Sequence, residues 1–87
     1  MKVAVWDTYV TRKDGTVMHF DILVPEESNE VSTIYQMGEA YLSTKGETDQ
    51  RLTTEKCNYC HQEIVSGEIL KSINDKGYYI IEMDGCE

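Results

Sequence analysis

The chain has 87 residues, of which 40% are hydrophobic, and this length suits one small globular domain spanning residues 1–87. Sixteen acidic residues against eight basic ones give a net charge of −8, which excludes nucleic acids and anionic membranes as expected partners. The N-terminus reaches Asp7 too early for a signal peptide, and no apolar run approaches the ~20 residues of a membrane helix. We therefore expect a cytoplasmic protein whose three cysteines stay reduced.

Two strands and a tight turn are predicted at the start of the chain. Residues 2–10 and 16–24 are rich in β-branched and aromatic types. The dipeptide Asp14-Gly15 between them is typical of a two-residue hairpin turn. Pro25 is expected to stop the second strand.

A two-residue turn fixes which side chains share a face. On that register Asp7 lies opposite Ile22, so Asp7 is expected among apolar side chains, where it needs hydrogen bonds. His19 and Asp21 are expected on the other face, away from Asp7. The face predicted to point at the helices carries Met18, Phe20, Ile22 and Val24.

Two helices are predicted in the rest of the chain. Residues 26–30 supply acidic and capping side chains, and apolar residues then recur at helical spacing, which predicts a helix over roughly 30–45. A second helix is predicted from Ser66 to Lys76, with Gly77 after its last turn.

Two further strands complete the pattern. Residues 51–55 are a short strand candidate, and residues 78–83 form the most continuously apolar strand, which predicts a central position in the sheet. The order β-β-α-β-α-β predicts an α+β two-layer sandwich with one mixed sheet and two helices on one face. Because a helix joins the third and fourth strands, we expect them to be parallel neighbours with a right-handed crossover.

The sequence Cys57-Asn58-Tyr59-Cys60-His61 concentrates side chains that bind metals. Two cysteines separated by two residues recur in tetrahedral zinc sites. Cys57 follows the third predicted strand and Cys86 follows the fourth, so parallel strands would bring them to one sheet edge. We therefore predict a zinc site formed by Cys57, Cys60, His61 and Cys86, with His19 as an alternative ligand.

Other interpretations of this segment stay open. Cys57 and Cys60 could form a thiol redox pair, which requires an exposed sulfur and a lowered thiol pKa. The string also matches a covalent haem attachment site, but the predicted mixed fold does not suit one. The cysteines could instead be small core residues. A non-catalytic interaction module, including a homodimer formed through an exposed strand edge, is a further alternative.

Asp7, His19 and Asp21 form a second candidate polar site, although the predicted register separates Asp7 from the other two. No phosphate-binding loop or serine nucleophile motif is present, so we predict no catalytic residues and favour a non-enzymatic role.

Several local patterns taken together resemble a known family. They are Asp7-Thr8-Tyr9-Val10, Lys13-Asp14-Gly15, Val17-Met18-His19-Phe20-Asp21, Tyr41-Leu42, Cys57-x-x-Cys60-His61, Asn74-x-x-Gly77-Tyr78 and Met83-x-Gly85-Cys86. This set is similar to a family of small bacterial proteins known as a domain of unknown function, numbered twenty-twenty-four. The resemblance covers nearly the whole chain and implies a small α+β domain. It implies no activity, and it places the candidate site residues on motif positions.

Overall fold

The structure is a computed structural model, and it describes residues 1–28 and 30–87. Its elements follow the predicted order and are β1 (Lys2–Thr11), β2 (Val17–Pro25), α1 (Val31–Thr44), β3 (Cys57–Ile64), α2 (Gly67–Lys76) and β4 (Tyr79–Asp84). The α+β class is therefore confirmed. Asn29, which falls in the predicted capping segment, lies outside the described residues. No helix among the described residues is long and apolar enough to cross a membrane.

The β1–β2 hairpin is present, but its predicted register is wrong by one residue. The last strand pair is Thr11 with Val17, and the Arg12 amide donates to the Thr16 carbonyl at 2.7 Å. The loop therefore contains three residues, 13–15, in place of two. Gly15 closes it with a positive φ of 91°, as in a tight turn followed by a glycine bulge. The longer loop shifts the pairing by one residue. Odd-numbered residues of β1 therefore pair with odd-numbered residues of β2, and their side chains share one face of the sheet.

The two helices form where the apolar spacing predicts them. In α1 the residues Ile34, Gly38 and Leu42 are buried and recur every four positions along one face. In α2 Ile73 is buried, and the helix ends at Lys76 just before Gly77. Both predicted helix boundaries are therefore confirmed to within about one residue.

The third strand is not where the sequence predicts it. Residues 51–55 lie outside any strand, and β3 instead begins at Cys57 and contains the whole cysteine segment. Its residues are mostly exposed because β3 is an edge strand of the sheet. The pairing with β1 shifts between Val5 and Trp6, which leaves Cys60 as an extra residue in a β-bulge.

The sheet is antiparallel throughout, so the predicted mixed sheet is wrong. The strand order is β3-β1-β2-β4, and each neighbouring pair is antiparallel. Consequently β3 and β4 lie at opposite edges and run in opposite directions, in place of forming a parallel pair. The predicted central position of β4 is also wrong.

The two helices pack against opposite faces of the sheet, so the prediction of both helices on one face is wrong. One core contains Phe20, Ile22 and Val24 of β2 packed with Ile34 and Leu42 of α1. The other core contains strand residues that point the opposite way, packed with α2, and its members are Val3, Val5, Leu23, Val65 and Ile73. Because successive strand side chains alternate between faces, these cores lie on either side of the sheet.

Candidate functional site

Three polar side chains meet on the sheet face that also carries α2. Asp7 of β1 lies directly opposite Asp21 of β2, and His19 is two residues before Asp21 on the same face. One potential ligand atom from each of the three residues lies within 4.8 Å of the others. The observed hairpin register places Asp7 on this face. In the predicted register Asp7 would lie on the opposite face, away from His19 and Asp21.

His19 is held between a carboxylate and an aromatic ring. Its Nε2 is 2.5 Å from Asp7 Oδ1 and 4.0 Å from Asp21 Oδ1. Its ring stacks on Tyr9, with the ring centroids 4.1 Å apart and the planes 12° from parallel. The stack and the hydrogen bond together fix the direction in which Nε2 points.

The pKa of the Tyr9 phenol responds to the negative charge of this site. Its pKa is raised, first by partial loss of solvent and then by the neighbouring charges of Asp7 and Asp21. Tyr9 is itself largely exposed, so the ring covers one side of His19 and leaves the site open to solvent.

Asp21 is the buried member of the group. Its side chain is only 10% exposed, and among the described residues its buried Oδ1 has no hydrogen-bond partner. Burial and then the adjacent Asp7 carboxyl raise the pKa of Asp21 to about 6, against smaller opposing effects of His19 and His61. A buried carboxylate oxygen without a donor is unfavourable, and a bound cation or a proton would satisfy it.

The arrangement has the chemistry of a divalent metal site. Two carboxylates supply negative charge and hard oxygen ligands, and the imidazole supplies a nitrogen ligand. The rigid strands β1 and β2 position all three side chains, which limits the rearrangement needed to bind an ion.

The cysteines of the predicted zinc site are not brought together. Cys57 lies at the start of β3, is 1% exposed and accepts a hydrogen bond from the Thr8 hydroxyl at 3.3 Å. Cys60 is exposed in the β-bulge. Cys86 is buried beyond the end of β4, where its sulfur lies 3.5 Å from the His19 carbonyl oxygen. None of them belongs to a close group of three ligand atoms among the described residues.

The antiparallel sheet explains this separation. The predicted convergence required β3 and β4 to be parallel neighbours, whereas they are the two edges of the sheet and two strands lie between them. At the usual strand spacing these edges are about 14 Å apart. The zinc ligand set Cys57, Cys60, His61 and Cys86 therefore lacks the geometry on which it was predicted.

The burial of Cys57 also bears on the thiol redox interpretation. Burial raises the pKa of the Cys57 thiol, although the hydrogen bond from Thr8 opposes this effect. A raised pKa disfavours the reactive thiolate. The segment also forms part of β3 and does not belong to the first turn of α1 or α2, where a helix N-terminus would stabilise a thiolate. These observations argue against a Cys57–Cys60 redox pair.

His61 lies on the same sheet face as the three-residue site but forms its own contacts. Its Nε2 is 3.0 Å from Glu63 Oε1, and its Nδ1 is 3.2 Å from Cys60 Sγ. His61 and Asp21 both line a cleft beneath α2.

The sequence did not single out two residues near this site. Tyr9 stacks on His19, and Asn58 of β3 lies across from Asp7 in the strand pairing. Alternation along β1 could have identified Tyr9 as a neighbour of Asp7, because residues two apart share a face. Asn58 offered no such signal, since β3 was not predicted as a strand.

Comparisons with known proteins agree with the resemblance found in the sequence motifs. The sequence pattern of the family described as Domain of unknown function (DUF2024) matches residues 1–83. The NMR structure of protein NE1680 from Nitrosomonas europaea is similar to this chain, with 37% identity and a TM-score of 0.85, and the match covers 100% of both chains. No curated protein matches the chain.

Proposed function

This chain belongs to the family Domain of unknown function (DUF2024), and we propose that it binds a divalent metal ion through Asp7, His19 and Asp21. The observation that carries the proposal is the buried Asp21 Oδ1, which lacks a hydrogen-bond partner among the described residues and faces the other two ligands. A cation between the three side chains would satisfy that oxygen and neutralise the two facing carboxylates.

The ligand set favours a particular group of ions. Two carboxylates and one imidazole suit Zn²⁺, Mn²⁺ or Fe²⁺, and they suit copper(I) poorly because no thiolate takes part. Zinc therefore remains a candidate ion, with a ligand set that contains none of the cysteines. Three protein ligands on a partly exposed face leave coordination positions for water or a small ligand.

The existing contacts also support binding that competes with protons. Nε2 of His19 lies within hydrogen-bond distance of Oδ1 of Asp7, and the proton of that hydrogen bond must leave before both atoms can bind one ion. The pKa of Asp21 is raised to about 6, so below that pH a proton on Asp21 also competes with a metal ion. Metal affinity is therefore expected to rise between about pH 5 and pH 7.

Titration calorimetry with protein stripped of metal by a chelator tests the proposal. Zn²⁺ and Mn²⁺ should bind with a stoichiometry of one, and both Asp21→Asn and His19→Gln should weaken binding by at least about 10- to 100-fold. Asp75→Asn is the matched control, because Asp75 is exposed on α2 and its substitution changes the net charge equally.

A cysteine variant separates this site from the one predicted by the sequence motif. Cys60→Ser removes the exposed thiol and should leave metal affinity unchanged. Metal binding that is lost in Cys60→Ser and retained in Asp21→Asn would contradict the proposal. The absence of any uptake by the unsubstituted protein would also contradict it.

We propose as a second candidate function that the chain forms homodimers through the free edge of β3. The supporting observation is that β3 is an edge strand of the sheet and carries two exposed large side chains, Ile64 at 79% and Tyr59 at 50% exposure. Sedimentation over a wide concentration range tests it. A dimer should dissociate in Ile64→Lys, and a monomer at high concentration would exclude this candidate.

A further inference from the structure

The cleft beneath α2 shares one lining residue, Asp21, with the proposed metal site. It has a volume of about 370 Å³, and Asp21 contributes to its lining. This volume is near the lower end of the range for small-molecule pockets, so it suits a small ligand. Because Asp21 belongs both to the cleft and to the three-residue site, an ion bound there would lie beside the cleft.

The walls of the cleft are mostly apolar. Ile69 of α2 faces Leu23 and Ile81 of the sheet, and Met83 extends the same surface toward the site. These side chains would remove the methylene groups of an aliphatic chain from water, which favours binding. The polar lining residues are Asp21, His61 and Glu63.

The charge of the residues that line the cleft determines whether an anionic ligand can bind with and without a metal ion. The lining residues in the described part of the chain include two carboxylates and neither Lys nor Arg. An anionic ligand would therefore be repelled unless a cation is bound at Asp21. A divalent ion neutralises Asp7 and Asp21 and leaves open coordination positions for an anionic head group.

On the basis of the proposed metal site, we propose that the cleft binds a small anionic chelating ligand. Its head group completes the coordination of the ion held by Asp7, His19 and Asp21, and its aliphatic chain lies between Ile69 and Ile81. Binding is then strictly dependent on metal, and affinity increases with the length of the apolar chain.

Two hydroxamates that share one chelating head group provide the probe. Acetohydroxamate and hexanohydroxamate differ by four methylene groups and are titrated into the full chain with and without Zn²⁺. Both should bind the zinc-loaded protein, and the longer probe should bind about 10- to 50-fold more tightly because its chain is partly buried. Neither should bind the chelator-treated protein.

Variants test where the chain of the probe lies. Ile69→Ala should reduce the advantage of the longer probe by several-fold and leave acetohydroxamate binding unchanged. Ile64→Ala is the control, because Ile64 is exposed on β3 and does not line this cleft. Circular dichroism of both variants verifies that each is folded before the titrations are compared.

The outcomes distinguish this inference from the metal proposal. If the protein binds Zn²⁺ but binds both hydroxamates with equal affinity, the proposed metal site is retained and the proposal that the cleft binds the aliphatic chain is overturned. Protein that binds no Zn²⁺ would overturn both. Zinc-loaded protein that binds neither hydroxamate would likewise retain the metal site and overturn the inference about the cleft.

Discussion

Asp7 and Asp21 lie directly opposite each other across the β1–β2 strand pair, on the face that also carries His19. Two acidic side chains in facing positions of an antiparallel pair repel each other when both are ionised. Burial of Asp21, and then the neighbouring Asp7 carboxyl, raise the pKa of the Asp21 carboxyl to about 6. Above about pH 6 the two facing carboxylates therefore form an unfavourable charge pair, which a bound cation would neutralise.

The first prediction concerns the stability of the metal-free protein. The pKa of Asp21 is about 6 in the folded chain, above the ordinary value of 3.8. Between these values the folded state keeps a proton that the unfolded chain has lost, so the free energy of unfolding falls as pH rises. Asp21→Asn should therefore stabilise chelator-treated protein by about 1–2 kcal/mol near pH 7.5, and the gain should shrink toward pH 4.

Urea unfolding followed by Trp6 fluorescence measures this difference. Asp75→Asn, on the exposed side of α2, should change stability by less than about 0.5 kcal/mol at either pH. An Asp21→Asn variant that is less stable than the unsubstituted protein near neutral pH would show that Asp21 already has a favourable partner.

The second prediction is that metal binding stabilises the fold. Zn²⁺ or Mn²⁺ at about 100 times its dissociation constant should raise the free energy of unfolding by about 2.7 kcal/mol, or Tm by roughly 10–20 °C. The increase should be smaller near pH 5, where Asp21 is protonated. Thermal melts with and without a chelator give the measurement, and an equal increase in His19→Gln would refute binding at this site.

The third prediction concerns the three cysteines. Cys60 is exposed, whereas Cys57 and Cys86 are buried, and burial also raises the pKa of the Cys57 thiol. A disulfide reagent should therefore label one thiol rapidly in the folded protein and all three in denaturant. Labelling of Cys60→Ser assigns the fast thiol. Protection of that thiol by added Zn²⁺ would indicate that a cysteine takes part in metal binding after all.

Local patterns in the sequence predicted most of the elements but not the relationships between them. Helical spacing located α1 and α2 because a helix buries one stripe of side chains whatever its neighbours are. The hairpin was also located, but its register depended on one additional loop residue. That residue determines whether Asp7 faces Asp21 or Ile22, so the candidate site could not be predicted with the correct members on one face.

The sheet order was mispredicted for two physical reasons. The strand β3 is polar because it is an exposed edge with a bulge, so it carried no apolar alternation. The strand β4 is apolar on both faces, which normally indicates a central strand. Here Ile80 packs in the core beneath α1 while Tyr79 and Ile81 pack in the core beneath α2. Helices on both faces thus give an edge strand the composition of a central one.

The last prediction concerns the C-terminal residues Gly85 and Cys86, which pack against the backbone of β2 at Val17 and His19. Gly85 has a positive φ of 67°, and a Cβ built on it would lie 2.2 Å from the backbone oxygen of Val17. Backbone cannot yield as a flexible side chain can, so Gly85→Ala should destabilise the fold by about 2–4 kcal/mol. Gly15→Ala is the matched control, because Gly15 also has a positive φ but its Cβ would meet nothing within 4 Å.

The two glycine variants also differ in a second measurement. Gly85 precedes Cys86, whose sulfur lies against the His19 carbonyl, so displacement of this turn should expose a second thiol. In Gly85→Ala the Cys86 thiol should therefore be labelled rapidly in addition to that of Cys60. In Gly15→Ala the free energy of unfolding should fall by about 1 kcal/mol, and only one thiol should be labelled rapidly. Equal stabilities of the two variants would show that the C-terminal segment does not pack tightly against Val17. In that case the backbone of His19 would have no support from this segment.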